Sequence, residues 1–515
     1  MLCGYSPLKG TGRICIKIPI VKDLEPWTFD KNQEEEVFPV KKIDSGKQKR
    51  PNILLIVTDQ QRYDCIGYAG DGILKTPTLD RLAKGGVIFT NCYTSWALCV
   101  PARASLLSGR YAHKIPGIDG NSKSLPEDHF SLAHFLKNNG YDTALIGKMH
   151  LKPIHADIGF QKMEMAEHDP TQKGCFVEDE YHIWLKKEGI DDWQEKFQYP
   201  TEYPGAPEEY KRNLQAMTFP YEERYHSTSW IAERAIQYLK KRKTKPFFLC
   251  VSFLKPHHPF NPPPRFLQMY KVKNIPLPDR SVGELIPKLE AKFFRRIAHG
   301  IYDLSNFDAE LCRKIIAHYY ATITQIDEAV GRILEYIDLN NTVVVFTSDH
   351  GDYLGRRNRI FKDPNLPLDD LVRIPLFFSG KGIPPGRLHQ GPVEIGDIVP
   401  TLLSLCGLKI PEGVDVDGRD LTTCFNHSDC PEPRTVFAIG GEWAMVRQGP
   451  WKYMESKKGE KMLFNLSVDP LERKNLLREG NSFSEIVAHL RAELLKLSEN
   501  FLTLDRMKMG SGLRI

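Results

Sequence analysis

Four short apolar runs in this 515-residue chain each lead into side chains that can bind a cation, hold an anion or move a proton. The run Asn52–Asp59 closes on Asp59 and is followed by Gln60, and Tyr141–Gly147 is followed by Lys148 and His150. Pro246–Phe253 leads to Lys255 and the pair His257-His258, and Asn341–Ser348 leads to Asp349 and His350. Carboxylate and amide oxygens suit a hard cation, imidazole nitrogen widens the choice of metal, and ammonium groups neutralise an anion. Each ending alone has an ordinary explanation, as a helix cap or a hydrogen-bonded surface histidine. Their chemistry becomes specific only where the four endings meet.

A fifth candidate lies between the first two runs, in Leu98-Cys-Val-Pro-Ala-Arg103. Pro101 suits the first turn of a helix, where its missing N–H costs nothing, and Ala104 to Leu107 continue that helix. Cys99 then sits at a helix N-terminus, where free N–H groups and the helix dipole favour an anion. Arg103, one turn on, can share that side and fork onto the oxygens of a sulfate or phosphate. By itself the pattern Cys-x-Pro-x-Arg also suits a small buried thiol beside a structural arginine.

The elements that must carry these residues are legible in the spacing. The four runs are too short for typical helices and rich in branched residues, which suits strands buried on both faces of a parallel sheet. Helical stretches precede three of them, at Ser131–Asn139, Thr228–Lys243 and Leu311–Ile337. That alternation predicts a doubly wound α/β sheet, in which ligands bind outside the carboxyl ends of the strands. Trp451–Tyr453 and Met462–Phe464 predict short antiparallel strands, and Ile486–Leu497 a helix. The chain is thus expected to divide into an arm, 1–50, a large α/β body, 51–385, and a smaller C-terminal part, 386–515.

Cys99-Val-Pro-Ala-Arg103 followed by Ala104-Ser-Leu-Leu-Ser-Gly-Arg110 resembles the signature of the formylglycine-dependent sulfatases, within the alkaline phosphatase superfamily. Further motifs resemble that family in the same order: Thr76-Pro-Thr-Leu-Asp80, Gly147-Lys-Met-His150, Lys255-Pro-His257, Ser348-Asp-His-Gly351 and Phe464-Asn-Leu-Ser-Val-Asp-Pro470. Asp397-Ile-Val-Pro-Thr-Leu-Leu403 and Gly418-Arg-Asp-Leu421 resemble the family's link into its C-terminal region. The resemblance implies an alkaline phosphatase-like α/β fold, a large mixed sheet sandwiched by helices, with a smaller C-terminal antiparallel-sheet subdomain. It implies that a formylglycine-generating enzyme oxidises Cys99 to Cα-formylglycine (3-oxoalanine), whose hydrate is the nucleophile. Asp59, Gln60, Asp349 and His350 match the metal-binding positions and, with residue 99, would hold one divalent cation, Ca²⁺ in first place with Mg²⁺ or Mn²⁺ admitted. Arg103 and Lys148 match residues that steady the formylglycine and neutralise sulfate, His150 a base, and His257 a residue near the leaving oxygen. Lys362, in Arg359-Ile-Phe-Lys362, matches a downstream lysine by looser spacing.

Two positions depart from the commonest family pattern. Asp59-Gln60 stands where many members have two aspartates, and Asp349-His350 where many have Asp-Asn. These variants resemble choline sulfatase-like and phosphonate monoester hydrolase-like branches, while Lys255-Pro-His257 resembles iduronate-2-sulfatase-like members. Glutamine removes a negative charge, so weaker binding of a divalent ion is expected, all else equal. The expected activity is hydrolysis of an organic sulfate monoester, whether aryl, sugar or choline sulfate, to alcohol and inorganic sulfate. One competing reading keeps the site but changes the substrate to a phosphonate monoester or phosphodiester. Another makes the chain a non-catalytic binder of sulfated glycans with Cys99 unmodified.

Composition excludes other classes. Lys and Arg number 70 against 65 Asp and Glu, a surplus of five that is too small for the basic stripe a nucleic acid requires. No apolar run approaches the roughly 20 residues of a membrane-spanning helix. The patch Ile14–Val21 is broken by Lys17 and Pro19 and has no secretory pattern, and eleven scattered cysteines suggest no disulfide framework, so a cytoplasmic setting is expected. The aromatic-rich stretch Phe160–Tyr225 and the stiff Pro262-Pro-Pro264 are expected to shape the walls and rim of the pocket.

Overall fold

A run of eight residues with no exposed position can satisfy its backbone only inside a sheet, and β1 (Asn52–Asp59) does so at the centre of one. In the computed structural model β1 pairs in parallel with β5 (Phe247–Pro256) on one side and β6 (Thr342–Ser348) on the other. β3 (Asp142–Gly147) and β4 (Lys162–Met165) extend the sheet beyond β5. β7 (Arg373–Gly380), β2 (Gly86–Tyr93) and β8 (Arg387–Glu394) extend it beyond β6, for the order β4-β3-β5-β1-β6-β7-β2-β8. β7 runs antiparallel to both of its neighbours, so the sheet is mixed. The structure describes residues 50–501, apart from 71, 122, 168–178, 192–207, 243, 282–306, 363–365, 428–433, 480–482 and 499–500. All but the last residue of the expected arm, and Trp193 of the aromatic stretch, therefore lie outside the described residues.

Alternate residues of the central strands feed two cores. Ile53, Leu55 and Val57 of β1 face the layer containing the helices Cys99–Ser108, Leu132–Asn138 and Ile398–Leu405. Leu54 and Ile56 face the helices Pro77–Lys84, Ser227–Lys241 and Ala309–Leu334. Each predicted helix and strand is present, with ends shifted by a few residues. The third strand runs further than expected, to Pro256, and so carries Lys255 within it.

A second sheet holds β9 (Thr435–Gly440), β10 (Trp443–Gln448), β11 (Trp451–Ser456) and β12 (Lys461–Asn465), all antiparallel. One face packs with the helix Ser484–Ser498 into the first core, through Phe437, Val446, Leu490 and Leu494. Its other face packs Trp443, Met454 and Phe464 against Tyr353, Leu368 and Leu371 of the large body. The described residues form one compact unit. The expected division at 385 is thus corrected, because β8 lies beyond it yet forms the edge of the large sheet. β8 was not legible as a strand because Arg387, Gln390 and Pro392 interrupt its apolar pattern. Cys424 is disulfide-bonded, while Cys65, Cys92, Cys99, Cys250, Cys312 and Cys406 are not. Among the described residues no helix is long and apolar enough to cross a membrane.

Candidate active site

Parallel pairing in register brings the strand ends together. Thr58 is opposite Ser348, and Val57 and Gly147 both oppose Ser252, so Asp59, Lys148 and Asp349 emerge along one edge. Gly147 makes this close approach possible: it has a positive φ of 106°, and a Cβ there would collide with the Ser252 carbonyl oxygen. The helix Cys99–Ser108 delivers residue 99 to the same place. Its N-cap Leu98 is extended and offers no side-chain cap, while Asn121 Oδ1 accepts the Val100 N–H at 3.2 Å. Every residue of that helix is buried.

Cys99 Sγ lies 3.1 Å from Lys362 Nζ, 3.3 Å from His350 Nε2, and 3.7 Å from both Lys148 Nζ and Asp59 Oδ1. Burial and Asp59 push the Cys99 thiol up, but Lys148, Lys362 and His350 outweigh them and hold it well below the usual thiol range. Position 99 is therefore built for negative charge. Lys148 also pairs with Asp59 Oδ2, and although burial pulls its ammonium down, Asp59 and Cys99 raise it overall. Arg103 donates to Asp349 Oδ2 from Nε at 3.0 Å, and from Nη1 to the Lys148 carbonyl and Ser252 Oγ, both at 2.7 Å. Its guanidinium ties three strand ends to the helix.

The candidate oxygen ligands converge beside it. Atoms of Asp59, Cys99, Asp349 and His350 lie within 4.8 Å of one another, all buried. Burial and the neighbouring Asp59 push Asp349 up, against His350 and Arg103, so these carboxylates gain by taking a cation between them. His350 Nδ1 is 3.0 Å from the Gly351 carbonyl, which fixes that nitrogen as the donor and leaves Nε2 with its lone pair toward the cluster. Gln60, at φ 66°, donates its backbone N–H to Asp349 Oδ1 at 2.9 Å; its side-chain Oε1 is buried with no hydrogen-bond partner among the described residues. An orphaned acceptor, two carboxylates and an oriented imidazole fit a divalent cation.

His150 and His257 stand on the loops after β3 and β5, both half-buried. Glu167 accepts the backbone N–H groups of His150 and Met149 at 2.7 and 3.0 Å, and so holds His150 in its left-handed conformation, φ 59°. The His257 ring stacks on His258 at 3.9 Å, and His258 packs against Phe361, the neighbour of Lys362. Lys255 donates to the Pro259 carbonyl at 2.6 Å, pinning that loop; burial pulls its pKa down to about 7, against the influence of Asp59.

Sequence reasoning did not find Ser252, Glu167 or Asp352. Asp352 follows the Ser348-Asp-His-Gly motif by one residue and carries no signal until its partner is seen. Burial pushes it up, opposed by the Gln60 amide, the Leu354 N–H and Arg62.

Known proteins decide the family. A sequence model described as Sulfatase matches residues 51–408. This chain is a member of the sulfatase family. The sulfatase is 30% identical to an arylsulfatase of Clostridium perfringens, over 87% of this chain and 94% of that one. It is 31% identical to a choline-sulfatase of Rhizobium meliloti, over 83% and 82% of the two chains. Its fold matches that of a phosphonate monoester hydrolase of Agrobacterium radiobacter with a TM-score of 0.73 and 24% identity, over 88% and 96% of the chains. The sulfatase is accordingly a sulfuric ester hydrolase with an alkaline phosphatase-like fold.

Proposed function

We propose that this sulfatase hydrolyses an organic sulfate monoester, whether aryl, sugar or choline sulfate, using Cys99 converted to formylglycine and one divalent cation, Ca²⁺. The observation that carries this reading is the ring of Lys148, Lys362, His350 and Asp59 around a single buried atom at a helix N-terminus. Binding alone needs no acid–base pair, so the presence of His150 and His257 with Lys148 disfavours the non-catalytic reading.

As formylglycine hydrate, residue 99 supplies two hydroxyls: one attacks sulfur and displaces the alcohol, and loss of the other's proton breaks the C–O bond, releasing sulfate and restoring the aldehyde. Asp59, Gln60, Asp349 and His350 would hold a divalent cation, which when bound would supply Lewis-acid polarisation of the sulfate and a lowered pKa for the attacking hydroxyl. Lys148 and Lys362 neutralise the equatorial sulfate oxygens, and Arg103 keeps Asp349 and the loop of Lys148 in place. His257 donates a proton to the leaving oxygen, and His150 takes the proton whose loss expels sulfate. The formylglycine-generating enzyme is the partner in maturation.

Trypsin releases Gly85–Arg103, which contains Cys92 and Cys99. In the protein from its own host, mass analysis is expected to show an intact thiol at 92 and a hydrazide-reactive aldehyde at 99. That protein is expected to release sulfate from at least one of a panel of aryl, sugar and choline sulfates. An unmodified Cys99, or no sulfate release from the modified protein, overturns the reading.

The shared fold with a phosphonate monoester hydrolase supports a second reading, a phosphonate monoester or phosphodiester substrate at the same site. Relative kcat/KM on matched aryl sulfate and aryl phosphonate esters separates the two.

A further inference from the structure

A glutamine ligand must present its oxygen and turn its NH₂ away, because only the oxygen can bind a cation. Three hydrogen bonds fix Gln60. Its backbone N–H donates to Asp349 Oδ1 at 2.9 Å, its carbonyl accepts from the Tyr319 hydroxyl at 2.6 Å, and its side-chain Nε2 donates to Asp352 Oδ2 at 2.5 Å. Side-chain Oε1 is left buried and without a hydrogen-bond partner among the described residues. Asp352 is itself fully buried and held: Oδ1 accepts the Leu354 N–H at 2.6 Å, and its main-chain carbonyl accepts from Arg62. Both carboxylate oxygens thus accept from N–H donors, which fixes the orientation of the Asp352 side chain.

We propose that Asp352 is a positioning residue for the cation site, holding the Gln60 amide so that Oε1 faces the metal and lending charge to a neutral ligand. This rests on the reading of Asp59, Gln60, Asp349 and His350 as cation ligands. A carboxylate accepting from the NH₂ of an amide draws electron density toward the amide oxygen, as a carboxylate behind a metal-bound histidine does for its ring. The negative charge absent at position 60 is thus present one residue further from the cation. Sequence alone implied a weakened site; the structure supplies the compensation.

The test is calorimetric titration of the chelator-stripped, full-length chain with Ca²⁺. Asp352→Asn lets the amide of Gln60 turn either way and is expected to weaken Ca²⁺ binding about 10–100-fold, with circular dichroism unchanged. Gln60→Asp combined with Asp352→Asn exchanges the carboxylate and the amide, and is expected to recover the wild-type Kd to within about threefold. Binding by Asp352→Asn as tight as wild type, or a double variant as weak as Asp352→Asn, overturns the proposal. Should Asp352→Asn not fold, the double variant decides alone: affinity near wild type supports the pair, and a loss beyond about tenfold overturns it. A wild-type chain that binds no Ca²⁺ overturns the cation reading itself, whereas wild-type binding with an unaffected Asp352→Asn overturns only the role of Asp352.

Discussion

Asp349 and Asp369 are both buried aspartates with cationic neighbours, yet their acidities move in opposite directions. Burial pushes each one up. At Asp369 the cations Lys452, Arg447 and Arg373 outweigh burial and bring it to about 2. Lys452 Nζ lies 2.8 Å from one oxygen of Asp369, and the Tyr93 hydroxyl donates to the other at 2.8 Å. At Asp349 the nearby Asp59 adds to the burial effect, and His350 and Arg103 do not offset the two. The Asp369 cluster joins the large body to the antiparallel sheet and closes its charges internally. Beside Asp349 the amide oxygen of Gln60 is left without a hydrogen-bond partner among the described residues. Charge satisfied from within builds structure, and charge left wanting is where a cation and an anionic substrate belong.

That contrast breaks first at residue 99. Cys99→Ala is expected to lower sulfate release by at least about 10³-fold while leaving the thermal midpoint within a few degrees of wild type, as measured by turnover and calorimetry. Asp369→Asn should do the reverse. Removing its charge leaves Lys452 with Glu472 as its remaining carboxylate partner, at about 1–3 kcal/mol, seen as a lower thermal midpoint with kcat of the folded fraction nearly unchanged. Ca²⁺ sharpens the comparison: at about 100 times its Kd it should stabilise the chelated wild type by about 2.7 kcal/mol, and Asp349→Asn by far less. The deficit of Asp369→Asn should persist at every Ca²⁺ concentration.

The smallest effect concerns Lys255. Its pKa in the fold is about 7, below the usual lysine range near 10, so between those values the unfolded chain binds a proton that the folded chain does not. Stability therefore rises with pH across that window, by about 1 kcal/mol per pH unit from this group. Lys255→Met is expected to flatten the rise in thermal midpoint between pH 7 and 9. An unchanged slope would show that the amine is not held neutral.

The central strands were legible because burial on both faces leaves β1, β3, β5 and β6 as unbroken apolar runs, and parallel pairing makes their last residues neighbours. β2, β7 and β8 were not legible: β7 runs against its neighbours, and the polar positions in β2 and β8 mimic loops. The candidate reactive residues carried their own signal, since a cysteine before a helix proline or a histidine after a buried strand is conspicuous. Asp352, Glu167 and Ser252 hydrogen-bond to the candidate site residues or their backbone. Their roles depend on contacts across distant parts of the chain, such as Gln60 with Asp352, which no local spacing encodes.

Burial of Cys99, at 1% exposure, also sets an order of events in time. On the function proposed above, an enzyme that oxidised this residue would have to act before the site closes, since Cys99 is buried in the finished fold. His350, which helps to close it, lies 251 residues further along the chain. At synthesis rates of about 5–20 residues per second that separation amounts to roughly 13–50 s. On that proposed function, the separation of residue 99 from His350 along the chain would double as a clock, leaving residue 99 accessible until the far side of its pocket had been made.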